Sequence, residues 1–115
     1  MIAHVVLFTP SADMSAGDRA AFVDALRAAF SEIPGIERVR VGKRTRLGRV
    51  YDDLMTIPIE YAAVLEFETV EGLRGYLDHP AHADLARRFF ALAGTALVYD
   101  FTMVEPARVA DLLND

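Results

Sequence analysis

Residues 2–8 read IAHVVLF, a run in which only His4 is polar. The β-branched and aromatic side chains of this run favour a strand. Successive side chains of a strand point to opposite faces, so Ala3, Val5 and Leu7 share one face while Val6 and Phe8 share the other with His4. Both faces are therefore largely apolar. This pattern predicts a strand that is covered on both sides of its sheet.

The rest of the chain predicts the element order β-α-β-β-α-β. Ser15 followed by Asp18 is typical of a helix N-cap, and Pro34 with Gly35 is typical of a helix end. The first helix has an apolar stripe at steps of three and four residues, which consists of Phe22, Leu26, Ala29, Phe30 and Ile33. Further strands are predicted over residues 36–41, 59–67 and 97–104, and a second helix, interrupted at Pro80, is predicted over residues 69–94. The predicted fold class is α+β, a ferredoxin-like antiparallel sheet with helices on one face.

Length and composition limit the kinds of protein that fit this sequence. A chain of 115 residues predicts a single domain over residues 1–115, with residues 105–115 as a C-terminal tail. The net charge of -5 argues against a nucleic-acid partner, and no apolar run is long enough to predict a membrane span. Without cysteine there is no thiolate nucleophile, and the first residues do not look like a signal peptide. We therefore expect a cytoplasmic protein.

The last predicted strand is also apolar on both faces, since Tyr99 and Phe101 share one face and Val98 lies on the other. Helices supply a cover for only one face of the sheet. A second copy of the sheet is the expected cover for the other, which predicts a homodimer with Val5, Leu7 and Val98 at the interface. The alternative is that the tail folds across the open face.

Residues 76–82 read YLDHPAH and contain two of the three histidines. His82 lies three and four residues before apolar positions of its helix, so it is predicted to point inward with them. Together with His4 and Tyr76 it predicts a cavity with a few converging polar groups. The alternative is that the histidines are structural and that His79 caps the helix. No third ligand completes a metal site with His79 and His82, so no metal is predicted.

Five segments of the chain resemble the stress-responsive α/β barrel family, the Dabb domain. They are HVVLF (4–8), PGI (34–36), EFE (66–68), YLDHPAH (76–82) and LVYDF (97–101). The resemblance extends over residues 2–104. It implies a ferredoxin-like protomer and a dimer whose two sheets form an α+β barrel.

A plant member of that family, olivetolic acid cyclase, closes a linear polyketide by aldol condensation without a cofactor. The resemblance implies that His82 acts as general base, that Tyr76 donates a hydrogen bond and that His4 orients the substrate. It also implies a small aromatic or polyketide-like ligand and no cofactor. We expect Phe8, Leu26 and Phe89 to contact that ligand. Because Leu26 stands where the cyclase has a pocket tyrosine, the predicted pocket is less polar.

The segment from residue 42 to residue 58 is a long predicted loop, and residues 43–53 are expected to be the most mobile internal part of the chain. Its basic side chains, Lys43, Arg44, Arg46 and Arg49, are expected either to bind an anionic part of a substrate or to pair with acidic residues across a dimer. Three functions remain open: a cofactor-free cyclase-like enzyme, a non-enzymatic stress-responsive binding dimer, and a cofactor-free monooxygenase of the antibiotic-biosynthesis type.

Overall fold

The computed structural model describes residues 1–114. Its four strands form one antiparallel sheet in the order β2-β3-β1-β4, with bounds β1 Ile2–Pro10, β2 Ile36–Lys43, β3 Tyr61–Phe67 and β4 Ala93–Thr102. The helices are α1 Ala16–Glu32, α2 Val50–Leu54, α3 Val70–Asp78, α4 Pro80–Leu92 and α5 Val109–Leu113. The predicted ferredoxin-like α+β fold is confirmed. Within residues 1–114, no helix is both long and apolar enough to cross a bilayer.

The ends of α1 follow the predicted signals. The Ser15 hydroxyl accepts a hydrogen bond from the Asp18 N–H at 3.1 Å, and the Asp18 carboxylate accepts one from the Ser15 N–H at 3.4 Å. This reciprocal pair satisfies two N–H groups that have no partner inside the helix. After the helix, Gly35 has φ +92°, a conformation that side chains with a Cβ avoid.

The break between α3 and α4 lies at His79 and Pro80. The Thr69 hydroxyl begins α3 by accepting a hydrogen bond from the Gly72 N–H at 3.1 Å. His79 ends α3 and caps α4, where its Nδ1 accepts a hydrogen bond from the Ala81 N–H at 3.0 Å. Pro80 occupies the first turn of α4, where its missing N–H costs no hydrogen bond. The interpretation of His79 as a helix cap is confirmed.

Several element boundaries differ from the sequence prediction. β3 begins at Tyr61 instead of Ile59, and β4 begins at Ala93 instead of Leu97. β4 starts earlier because β1 continues to Pro10, which pairs with Ala93 across a register shift. The predicted loop over residues 42–58 contains the short helix α2, whose first turn is held by the Asp52 carboxylate.

The helices cover one face of the sheet and leave the other open. The largest fully buried side chains, Phe67 and Leu65, lie on the covered face. On the open face, Val5 of β1 stands opposite Val64 and Tyr99. Tyr99 remains 52% exposed, so the helices leave this part of the apolar face uncovered in the protomer.

The expectation that Val98 lies on the open face is wrong. The register pairs Val98 with Val6, and paired residues of an antiparallel sheet point to the same face. Val98 therefore faces the helices and lines the same cavity as His4. Tyr99 is the residue of β4 that accompanies Val5 on the open face.

Candidate functional site

A cavity of about 260 Å³ lies between the covered face of the sheet and the helices. It is mainly apolar, and among residues 1–114 the polar side chains that line it are those of His4, Tyr76 and His82. The three come from different elements: His4 from the middle of β1, Tyr76 from α3 and His82 from the first turn of α4. The fold therefore brings the distant His4 to the histidine that follows Pro80.

Tyr76 lies between the two histidines. Its ring centroid is 5.9 Å from that of His4 and 4.7 Å from that of His82, and both pairs meet edge to face at 61°. Its other side packs on Phe67 at 5.4 Å. Tyr76 is only 3% exposed, so its ring is fixed by packing on several sides. A small molecule in the cavity would meet three polar rings on one wall.

His4 has a partner that the sequence did not reveal. Its Nδ1 lies 2.6 Å from Oδ1 of Asp100, which is its partner in the register of β1 with β4. A carboxylate only accepts hydrogen bonds, so the proton of this bond belongs to Nδ1. In the neutral ring, Nε2 then carries the lone pair. Asp100 thus fixes both the tautomer and the orientation of His4.

The surroundings of His82 favour its neutral form. Burial lowers the pKa of His82 below the ordinary value of 6.5, and the nearby His4 lowers it further. A backbone hydrogen bond at Leu77 acts in the opposite direction without reversing the shift. A neutral imidazole at neutral pH has a lone pair that accepts a proton.

Tyr76 has the opposite kind of shift. Burial raises the pKa of its phenol to about 12, because the phenolate would lose its hydration. The hydroxyl therefore keeps its proton over the whole physiological range. It is available as a hydrogen-bond donor to an oxygen atom that gains negative charge.

Aromatic and aliphatic side chains form the rest of the cavity wall. Phe8, Leu26 and Phe89, which the sequence analysis selected, all line it. The Phe8 ring meets that of Phe89 at 5.2 Å and that of Phe22 at 6.2 Å. Phe90 also lines the cavity but is 69% exposed, so it marks the side on which the cavity opens to solvent. Phe22 and Phe90 are lining residues that were not predicted, although Phe22 belongs to the apolar stripe of α1.

His79 caps α4 and does not line the cavity. No group of three or more His, Asp or Glu side chains with the arrangement of a metal site occurs among residues 1–114.

The basic segment after β2 lies away from this cavity. Arg46 donates to both carboxylate oxygens of Glu60 in the same protomer, and this hydrogen bonding lowers the pKa of Glu60. Arg46 therefore pairs with an acidic residue of its own chain and not with one across a dimer interface. A second cavity, of about 730 Å³, lies between this segment and the open face of the sheet. Leu7, Ala62 and Leu97 line it on the side of the sheet. The mobility expected for residues 43–53 stays a prediction.

The family model of the stress responsive A/B barrel domain, Dabb, matches residues 2–103. The chain belongs to the Dabb family. No curated protein sequence matches this Dabb chain. Among solved structures, the hydroxynitrile lyase of Passiflora edulis is similar at 16% identity and a TM-score of 0.75, over 90% of this chain and 94% of that one.

Two other solved structures are similar to this Dabb chain. A dimeric ferredoxin-like protein of Thermobifida fusca is 22% identical, with a TM-score of 0.67 over 89% of this chain and 90% of that one. A cofactor-independent oxygenase of Streptomyces nogalater is 17% identical, with a TM-score of 0.64 over 90% of this chain and 93% of that one. At these identities the likeness establishes a shared fold.

Proposed function

We propose that this Dabb protein is a homodimeric, cofactor-free enzyme that removes a proton from a carbon next to a carbonyl group, in the manner of a polyketide cyclase. The observation that carries the proposal is the convergence of His4, Tyr76 and His82 on one wall of an otherwise apolar cavity. The lowered pKa of His82 supports its use as a base.

The proposed reaction assigns one role to each polar ring. His82 takes the proton from the carbon, and the electron pair of the broken C–H bond moves into the enolate. Tyr76 donates a hydrogen bond from its hydroxyl group to the enolate oxygen and keeps its proton. The enolate carbon then forms a C–C bond with a second carbonyl carbon of the same substrate, and the protonated His82 returns its proton to the resulting alkoxide. His4, whose neutral ring is oriented by Asp100, accepts a hydrogen bond at Nε2 from a hydroxyl group of the substrate, such as that of an enol, and so positions it.

The size and lining of the cavity support a small, largely apolar substrate. Its volume of about 260 Å³ lies just below the usual range of roughly 300–1,000 Å³ for ligand pockets, and a cavity of about 150 Å³ holds benzene. A substrate with one aromatic ring, or with a short alkyl chain and two carbonyl groups, fits a cavity of this volume. Leu26 extends the apolar wall, which favours an aliphatic or aryl tail at that position.

The surface area of the protomer supports the homodimer. Its accessible surface is 7962 Å², whereas a folded monomer of 12.7 kDa exposes about 6,200 Å². The excess of roughly 1,700 Å² falls in the range that each partner contributes to an obligate dimer. The radius of gyration of 15.8 Å also exceeds the value of about 13 Å for a compact chain of this length.

The proton-transfer step can be tested before the natural substrate is known. A small aryl β-diketone exchanges its central C–H hydrogens with D₂O, and NMR follows the loss of the proton signal. We expect the wild-type dimer to accelerate this exchange above the buffer rate and His82→Ala to abolish the acceleration. His79→Asn is the matched control, because it replaces a histidine outside the cavity and keeps a residue that caps helices.

The control separates the chemistry from folding. If His82→Ala exchanges the diketone as fast as the wild-type protein, His82 is not the base. If His82→Ala unfolds while His79→Asn stays folded, His82 is structural. Binding of the diketone without any acceleration would favour a non-enzymatic binding dimer.

A cofactor-free oxygenase is the second candidate. The similarity to the Streptomyces nogalater oxygenase favours it, and the aromatic wall around Phe8 and Phe89 suits a hydroquinone. Oxygen consumption with a hydroquinone that disappears in His82→Ala would support this candidate. Exchange of the diketone without oxygen consumption would support the cyclase.

A further inference from the structure

The segment of residues 43–57, called the arm here, carries many apolar side chains outside the core. Six of them are more than half exposed, namely Leu47, Val50, Tyr51, Leu54, Met55 and Ile57. The arm does not lie flat on the sheet, because the cavity of about 730 Å³ separates it from Leu7, Ala62 and Leu97 on the open face. The exposed surface inside this cavity is mostly apolar, and the charged residues Lys43, Arg44, Asp52 and Glu60 also line it. An apolar surface of this extent that is left uncovered is typical of an interaction site.

The tail, residues 105–114, has a similar excess of exposed apolar side chains. A 3₁₀ turn over Pro106–Arg108 leads into α5, on which Val109, Leu112 and Leu113 are 51%, 40% and 79% exposed. A helix of five residues is not stable by its own hydrogen bonds and needs packing against another surface. The tail is therefore a candidate to fill an apolar cavity.

The arm and the tail of one protomer lie at opposite ends of the sheet. The arm leaves β2 at Lys43, which pairs with Tyr61, and Tyr61 in turn pairs with Phe8. The tail leaves β4 near Met103, whose N–H donates to the carbonyl of Met1 at 2.9 Å. The stretch of β1 between these two ends is about 20 Å long. The tail of a protomer thus starts far from the arm of that protomer.

We infer that the tail of each protomer docks in the cavity beneath the arm of a second copy. This reciprocal docking of the two tails, called the exchange here, rests on the proposed homodimer. A two-fold axis that runs between two facing sheets and across their strands brings the tail end of one sheet over the arm end of the other. The net charges are opposite. The arm has four basic and two acidic side chains, with Arg46 paired to Glu60, whereas in the tail Asp111 is paired with Arg108 and Glu105 is left to face the arm. The apolar side chains of α5 then meet those of α2.

Cross-linking between single-cysteine variants tests this contact, because the chain has no cysteine of its own. Leu54→Cys and Leu113→Cys are prepared separately, refolded together and treated with a short bismaleimide. Both positions are exposed in the protomer, so both variants are expected to fold. We expect the mixed pair to cross-link at least about tenfold faster than the control pair Ala20→Cys with Leu113→Cys, because docking raises the effective concentration of the two thiols. Ala20 is exposed on α1.

Light scattering on the same samples distinguishes this contact from the dimer itself. A dimer in which the mixed pair reacts only at the control rate overturns the exchange and leaves the homodimer standing. A wild-type monomer overturns both. Rapid cross-linking of Leu54→Cys to Tyr99→Cys, without reaction at Leu113→Cys, shows that the open sheet face of the second copy fills the cavity and also overturns the exchange.

Dimer affinity provides an independent measurement. Leu113→Asp places a charge in the proposed apolar contact and is expected to raise the dimer dissociation constant by about tenfold or more, whereas Leu113→Met keeps the affinity. An unchanged dissociation constant for Leu113→Asp overturns the exchange.

Discussion

Replacing Tyr76 by Phe removes one oxygen atom from the cavity wall and leaves the aromatic ring in place. The ring is fixed by its contacts with Phe67, His4 and His82, and it is only 3% exposed. The substitution creates no cavity of methyl size and buries no new polar group. We therefore expect the free energy of unfolding to change by less than about 1 kcal/mol.

The expected effect on catalysis is much larger. The raised pKa of Tyr76 keeps its hydroxyl as a donor, and in the proposed reaction it is the donor that faces the enolate oxygen. Removing one such donor from a site with little water lowers kcat by about 10²–10³-fold, or about 2.7–4 kcal/mol. The loss should appear in kcat and in kcat/KM alike, because the interaction forms fully only in the transition state.

The assay combines diketone exchange by NMR with thermal unfolding of the same sample. Tyr76→Phe should melt close to the wild-type temperature and lose most of the exchange rate. Tyr61→Phe is a suitable control, because Tyr61 is absent from the lining of this cavity. A Tyr76→Phe protein with the wild-type exchange rate would refute the assigned role, and one that unfolds would show that the hydroxyl serves the fold.

Three further outcomes follow from the same geometry. Because the pKa of His82 is lowered, the neutral base form predominates at pH 6.5 and above, and the exchange rate should rise with pH to a half-maximum below 6.5; a half-maximum above 6.5 contradicts the shift. Asp100→Asn should lower kcat about tenfold and leave the dimer intact, because His4 loses the carboxylate that selects its tautomer; an unchanged pH–rate profile and kcat contradict that role. Val5→Asp should give a monomer by light scattering, whereas Val5→Ile stays dimeric.

The local parts of the fold were predictable from the sequence. The capping pair of Ser15 and Asp18 and the break at Pro80 depend on neighbours within a few residues, so spacing alone indicated them. The inward direction of His82 follows from helical phase, and that of His4 follows from the alternation of β1. These periodicities hold wherever the element is regular.

The long-range parts were not predictable in the same way. Asp100 is 96 residues from His4, and only the register of β1 with β4 brings the two side chains together. A shift by one residue would place Asp100 on the other face, as the wrong expectation for Val98 illustrates. The helix α2 also escaped prediction, because it has only five residues and its first turn depends on the Asp52 side chain.

The two faces of β1 connect the proposed site to the proposed dimer. His4, Val6 and Phe8 line the cavity, whereas Val5 and Leu7 alternate with them on the open face. The sheet of a second protomer, packed on the open face, would hold β1 and its residue His4 in place without entering the cavity. Loss of the dimer is therefore expected to loosen the His4 side of the site and to leave Tyr76 and His82 on their helices. Val5→Asp should then lower the exchange rate mainly through the role of His4, to about the level of Asp100→Asn, and a monomer with full activity would show that each protomer holds the site alone.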